Sequence, residues 1–125
     1  RENNLAKVGM KGVFPLWKIN TADLMDDFIS RRFRAVVCCV NDAYLGKEYV
    51  GKEINKAFIK KLPAGVDPCG ENGEYHTFCY GGPLFKKKIT FLIGEKVYKS
   101  LKSNTCPISE SISTKGFWYR DLLPN

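Results

Sequence analysis

The longest unbroken apolar run in the chain is Ala35–Val40, AVVCCV, and it is six residues long. Six residues make a β-strand, and a membrane-spanning helix needs about 20. Successive side chains of a strand point to opposite faces, so a run that is apolar at every position has to be covered on both. It therefore belongs inside a sheet. Cys38 and Cys39 fall on opposite faces of that strand, where they are expected as small buried hydrophobes. The five cysteines (Cys38, Cys39, Cys69, Cys79, Cys106) are odd in number and show no paired spacing. They read as reduced thiols, and the cytoplasm is the expected compartment.

The segments around this strand set the fold class. Lys11–Trp17 reads as extended, with Phe14 held so by Pro15. Thr21 is the expected N-cap of a helix. Asp23, Asp26 and Asp27 lie early in it and Arg31 and Arg32 late, as the helix dipole favours. Met25, Phe28 and Ile29, with Leu24 beside them, form its apolar stripe. A second helix is expected to carry Val50, Ile54, Phe58 and Leu62 at i+4 spacing, ending at Pro63 and Gly65. Turn chemistry follows at Val66–Gly70, then a strand over Glu74–Tyr80, broken by Gly81-Gly82-Pro83. Lys88–Ile93 alternates as a further strand, with Val97–Leu101 as its hairpin partner across Gly94. A loose Ser/Thr/Asn stretch, Ser103–Thr114, precedes a last apolar segment, Gly116–Tyr119. Helices come first and strands later. That order predicts an α+β fold, a small mixed or antiparallel sheet with about two helices.

At 125 residues the chain is expected to form one domain, residues 1–125. It starts at Arg1 without a Met or a secretory apolar core, and it is expected to be a piece of a longer protein. Lys and Arg outnumber Asp and Glu by 20 to 13, a net charge of +7, which favours anionic partners in general. Lysines at 60–61, 86–88, 96, 99 and 102 read as the solvated side of strands and a helix rather than a nucleic-acid groove.

Against that basic background the stretch Cys69–Tyr80, CGENGEYHTFCY, is unusual. A turn needs a glycine and a small polar residue, not two carboxylates, an imidazole and a tyrosine. Gly70 and Gly73 let the backbone turn tightly and approach a ligand closely. If Glu74 begins a strand, then Glu74, His76 and Phe78 share one face and Glu71 swings in from the turn. Converging carboxylates suit a cationic substrate, a metal-bound phosphate or an incoming ammonia. The plainer reading is a polar hairpin entry with solvated acids. A zinc site is not expected, because Cys69 and Cys79 are ten apart with no second pair beside His76. Leu16 is expected in the core, while Trp17 either lines a pocket or packs inside. The chain has no Walker loop, no GxGxxG and no GxSxG.

Three motifs taken together carry a resemblance: FPLW at Phe14–Trp17, GVDPCGENGEYHTF at Gly65–Phe78 and GPLFKKKI at Gly82–Ile89. In order and spacing the chain from about Arg1 to Ile93 resembles the C-terminal half of the diphthine–ammonia ligase family, also described as N-type ATP pyrophosphatases with an adenine nucleotide alpha-hydrolase fold. The resemblance implies that this chain is the substrate-binding half of a larger enzyme. ATP and Mg2+ would be bound mainly by an N-terminal domain carrying a Ser-Gly-Gly-Lys-Asp-Ser loop, absent here, so this chain alone is expected to be inactive. The implied reaction activates a carboxylate as an acyl-adenylate, releasing pyrophosphate, and ammonia then displaces AMP to give an amide. The carboxylate would be carried on a protein such as translation elongation factor 2.

Gly70, Glu71, Gly73, Glu74, Tyr75 and Thr77 match the family's substrate loop. Glu71 and Glu74 would bind or orient an amine, Tyr75 would pack beneath, and Trp17 would offer an aromatic face to a cation. On that reading both carboxylates are dispensable for folding. Two positions depart from the pattern: Asn72 stands where the family has glycine, and His76 where it has glutamate. An acid lost at His76 weakens a face for the cationic diphthine, so a related branch acting on another carboxylate is an equal expectation. A different class of function also fits the charge, a non-catalytic basic module for RNA or an acidic protein partner. Neither a membrane nor nucleic acid is an expected partner of the ligase reading.

Overall fold

The run Ala35–Val40 does lie inside a sheet. The computed structural model describes residues 1–101 and 114–125. Among these residues, three helices, α1 (Glu2–Ala6), α2 (Thr21–Ser30) and α3 (Lys56–Lys61), accompany four strands, β1 (Arg34–Asn41), β2 (Tyr75–Gly81), β3 (Phe91–Ser100) and β4 (Gly116–Pro124). The strands lie in the order β2-β1-β4-β3, and each neighbouring pair is antiparallel. This is the α+β fold with a small antiparallel sheet that the order of elements implied.

A bulge shapes β1. The pairing with β2 shifts register between Val37 and Cys39, leaving Cys38 as the extra residue. Because of it Val37 and Val40, three apart, both join a buried cluster with Met25, Ala35, Leu45, Val50, Ile54, Phe58 and Tyr75. Cys39 is buried, whereas Cys38 is only half-buried, its thiol donating to the His76 carbonyl at 3.4 Å. The expectation of two buried cysteines thus holds for one. Cys38, Cys39, Cys69 and Cys79 are free thiols; Cys106 lies outside the described residues.

The second helix is shorter than its apolar spacing suggested. Val50 and Ile54 are buried, but residues 50–51 form a turn and residues 52–54 run along β1. Gly51 N donates to Val37 O at 2.7 Å, Val37 N to Lys52 O at 2.9 Å and Ile54 N to Ala35 O at 2.9 Å. The buried backbone groups of β1 need partners on this side, and a helix at 50–54 would leave them without. Only at Asn55, whose side chain accepts from Phe58 N, does α3 begin.

Four further expectations are corrected. Asn20, not Thr21, caps α2, accepting from Ala22 N and Asp23 N, which releases the Thr21 hydroxyl for a distant partner. Gly94 is not a hairpin turn; it sits within the continuous β3, where pairing with β4 shifts register between Ile93 and Lys96. Lys88–Thr90 precedes that strand rather than opening it, and the hairpin partner is β4. Leu16 is exposed instead of buried in the core. Most of the expected Ser103–Thr114 stretch lies outside the described residues.

Candidate functional site

The turn between residues 66 and 74 is held by two carboxylates that do different work. Asp67 acts from inside the turn. Its Oδ2 accepts from Cys69 N at 3.0 Å and Glu71 N at 3.2 Å, and its Oδ1 accepts from the Thr21 hydroxyl at 2.6 Å. The last bond ties the turn to the first residue of α2. The Asp-Pro-Cys-Gly sequence reads as a turn, and an Asp at its head bonding the backbone ahead is the usual Asx arrangement. The tie to Thr21 has no local signal, because the partners are 46 residues apart.

Glu74 holds the turn from below. It is fully buried. One oxygen accepts from Asp67 N at 2.9 Å and the Asn72 side-chain amide at 3.3 Å, and the other from Asn72 N at 2.9 Å. Its carbonyl accepts from Asn41 N at 2.9 Å, joining the turn to β1. Glu74 is therefore neither a solvated acid nor on a shared open face with His76, which is exposed. The reason is the two backbone N–H groups of Asp67 and Asn72 and the Asn72 side-chain amide facing it, which the buried carboxylate satisfies. Its carboxylate shapes the loop, and folding without it is not expected to be neutral. Asn72, one of the two departures from the family pattern, gives two of the three donors.

Tyr75 packs beneath the turn as anticipated. It is buried, edge-on to Phe58 with ring centroids 5.6 Å apart, and its hydroxyl donates to the Pro68 carbonyl. Burial, followed by the nearby Cys69, Asp67, Glu74 and Glu71, pushes its phenol far above the usual range. Gly70 has φ +66°, and an added Cβ would sit 2.9 Å from the Tyr75 carbonyl; Gly73, at φ +81°, has open space there. Only glycine meets both demands at position 70.

These features leave a recess of about 420 Å³, lined by Cys69, Gly70, Glu71, Gly73, Tyr75, His76 and Thr77. The structure thus gathers six of the eight residues expected at a site, with Cys69 added. Glu71, His76 and Thr77 are exposed at it. Glu74 lies behind it, and Trp17 is not part of its lining. Trp17 is 74% exposed on a turn whose neighbour Leu16 lines an adjoining apolar cleft of about 400 Å³, formed with Leu24, Met25, Phe28, Phe33, Cys69 and Cys79 among others. Cys69 borders both hollows. Partial burial, then the charges of Asp67 and Glu71, raise its thiol to about 11, so it stays protonated and a poor nucleophile at neutral pH.

Chemically the recess offers one free carboxylate, an imidazole, a hydroxyl and glycine backbone. Among the described residues, no group of three or more His, Cys, Asp or Glu could hold a metal ion, and no helix is long and apolar enough to cross a membrane.

Comparison with known proteins gives a consistent answer. The family model described as diphthamide synthase C-terminal domain matches residues 20–111. Proteins named diphthine–ammonia ligase are similar to this chain in several organisms. The mouse (Mus musculus) protein is 35% identical over 105 residues, covering 79% of this chain and 39% of the relative. The human (Homo sapiens) protein is 35% identical over 106 residues, with the same coverage. The Schizosaccharomyces pombe protein is 30% identical over 138 aligned positions, 99% of this chain and 22% of the relative. The chain therefore spans well under half the length of these relatives.

Proposed function

Because the chain belongs to the diphthamide synthase C-terminal domain family, we propose that it is the substrate-binding domain of an ATP-dependent amide ligase of the diphthine–ammonia ligase type. The observation that carries this reading is the recess itself, where a basic chain exposes the Glu71 carboxylate beside His76 and Thr77 over a glycine-bounded turn. Such a turn lets a substrate approach the backbone closely.

In this reading Glu71 holds ammonium or a cationic part of the substrate, since opposite charges attract most where a wall on one side limits water. The Thr77 hydroxyl and the His76 imidazole supply hydrogen-bonding groups for the acceptor carboxylate. Glu74 and Asp67 keep the turn in the shape that presents these groups. Trp17, exposed on the neighbouring turn, offers an aromatic face to a cationic substrate.

The residues of this chain do not fit Mg-ATP. They offer no phosphate-cradling glycine loop, and the Glu74 carboxylate is already taken by three N–H donors. In this reading ATP and Mg2+ belong to a separate N-terminal domain of a cytoplasmic protein. The acceptor is a carboxylate, diphthine on a protein such as translation elongation factor 2 or that of a related branch. The reaction makes an amide from that carboxylate and ammonia.

The test uses the longer protein with Mg-ATP, ammonium chloride and a carboxylate-bearing acceptor. Pyrophosphate release that requires the acceptor, with an amide formed only when ammonium is present, is the expected result. Turnover with neither requirement, or RNA binding without any turnover, would return the chain to the basic-module reading.

A further inference from the structure

β2 is an outer strand of the sheet, and its free edge differs from that of the other outer strand. β3 guards itself: it carries Glu95, Lys96 and Lys99 and a register shift between Ile93 and Lys96, features that discourage a further strand from pairing. β2, YHTFCYG, has neither acid nor lysine along it. Among the described residues, one backbone bond reaches it from outside the sheet, Ile89 N to Tyr80 O at 2.8 Å, at its far end. From Tyr75 to Cys79 the described residues leave this edge without a backbone partner.

Both hollows border this same stretch. The recess touches β2 at Tyr75, His76 and Thr77, the apolar cleft touches it at Cys79, and Cys69 belongs to both. One hollow presents a carboxylate, and the other presents Leu24, Phe28 and Phe33. We infer that the free edge of β2 receives an extended segment of the acceptor protein as an added strand, with an apolar side chain in the Leu24–Phe28–Phe33 cleft and a cationic side chain beside Glu71. The occupant is a polypeptide because a strand edge recognises backbone, and the pockets on either side then select side chains. Charge sets the polarity of the match: the Glu71 end suits a cation and the cleft an apolar group. Thr77 and Cys79 are two apart, about 6–7 Å along a strand, so the two side chains stand two positions apart in the segment. The inference rests on the reading of the Gly70–Gly73 turn as a substrate loop, and it adds how the acceptor's backbone is held beside that loop.

The probes are two blocked peptides, Ac-Thr-Leu-Thr-His-Thr-NH2 and its reversed order, titrated at pH 6 into the 15N-labelled chain. One order should shift the amides of residues 69–73 and 75–79. Leu→Ser in the peptide should weaken binding at least tenfold, and so should N-methylation at alternate backbone nitrogens, which removes strand pairing without touching the protein. Glu71→Gln should abolish any preference for the His peptide over its Gln counterpart. Shifts confined to β3, no shifts, or equal binding of N-methylated peptides would overturn the inference. So would full exchange protection of residues 75–79 in the longer protein without acceptor, because its own chain would then occupy the edge. Docking is read without turnover, so docking without ligase activity would sink the proposed function alone. Glu71-dependent amide formation without docking would sink this inference alone.

Discussion

Glu74 and Asp67 are joined by one hydrogen bond, the Asp67 backbone N–H donating to the Glu74 side-chain Oε1 at 2.9 Å, and between them they close the turn that forms the recess. Glu74 is fully buried while Glu71, three residues earlier, is exposed. The two glutamates of one motif thus have separate physical roles. Glu74→Gln would turn an amide NH2 toward N–H donors and leave at least one of them unsatisfied, at a cost of about 1–3 kcal/mol. Glu71→Gln should stay within about 0.5 kcal/mol of the parent. Urea unfolding of both variants checks this, and equal stabilities would mean the Glu74 contacts do not form.

Gly70 and Gly73 should respond differently to alanine. Both have positive φ, but only at Gly70 would the new Cβ press on the Tyr75 carbonyl, at 2.9 Å. Gly73→Ala is expected to cost about 1 kcal/mol for the left-handed backbone alone. Gly70→Ala should cost clearly more, and should move the Tyr75 ring signals in an NMR spectrum. A smaller cost at position 70 than at 73 would contradict the packing described.

At the start of α2, Asn20 and Thr21 offer a similar contrast. Asn20→Ala removes a cap with two N–H partners and should cost about 1 kcal/mol. Thr21→Val keeps the cap but removes the bond to Asp67. It should cost a similar amount, about 1 kcal/mol, while raising hydrogen exchange at Cys69 and Glu71 rather than in the helix. Faster exchange confined to α2 would show that the tie does not hold the turn.

That contrast shows what could be read in the residues and what could not. The interior strand was legible because AVVCCV has no polar face to give to solvent. The recess was legible because glycines, glutamates and an imidazole crowd into one stretch. The strap at residues 50–54 was not, since Val50, Ile54, Phe58 and Leu62 keep helical spacing whether or not the first two are helical. The pairing needs of β1 decided the matter, and those are tertiary. Burial of Glu74 was hidden for the same reason: a glutamate before a strand looks solvated until its N–H donors are in place. Cap positions one residue apart, Asn20 against Thr21, both suit the chemistry, and the distant Asp67 took Thr21.

Cys69 supplies a pH test. Its thiol is raised from the ordinary 9.0 to about 11, first by desolvation and then by Asp67 and Glu71. A folded state that holds its proton more tightly than the unfolded chain is favoured fully below pH 9, and that contribution is lost as pH climbs toward 11. Alkylation of Cys69 by iodoacetamide in the folded protein should therefore rise with a midpoint near pH 11. In Glu71→Gln the midpoint should fall, because one of the two charges that raise it is gone. A midpoint at 9 in the parent would mean the thiol is neither shielded nor near those carboxylates.

The most direct test of the site is the rate of amide formation by the longer protein carrying Glu71→Gln, measured with the fold checked in the same sample. A drop of tenfold or more, the ~1.4 kcal/mol that a lost charged contact gives, with ATP binding and unfolding midpoint unchanged, is the expected outcome. Parent-like turnover in that variant would contradict the assignment of the recess as the substrate site and leave the turn a structural feature only.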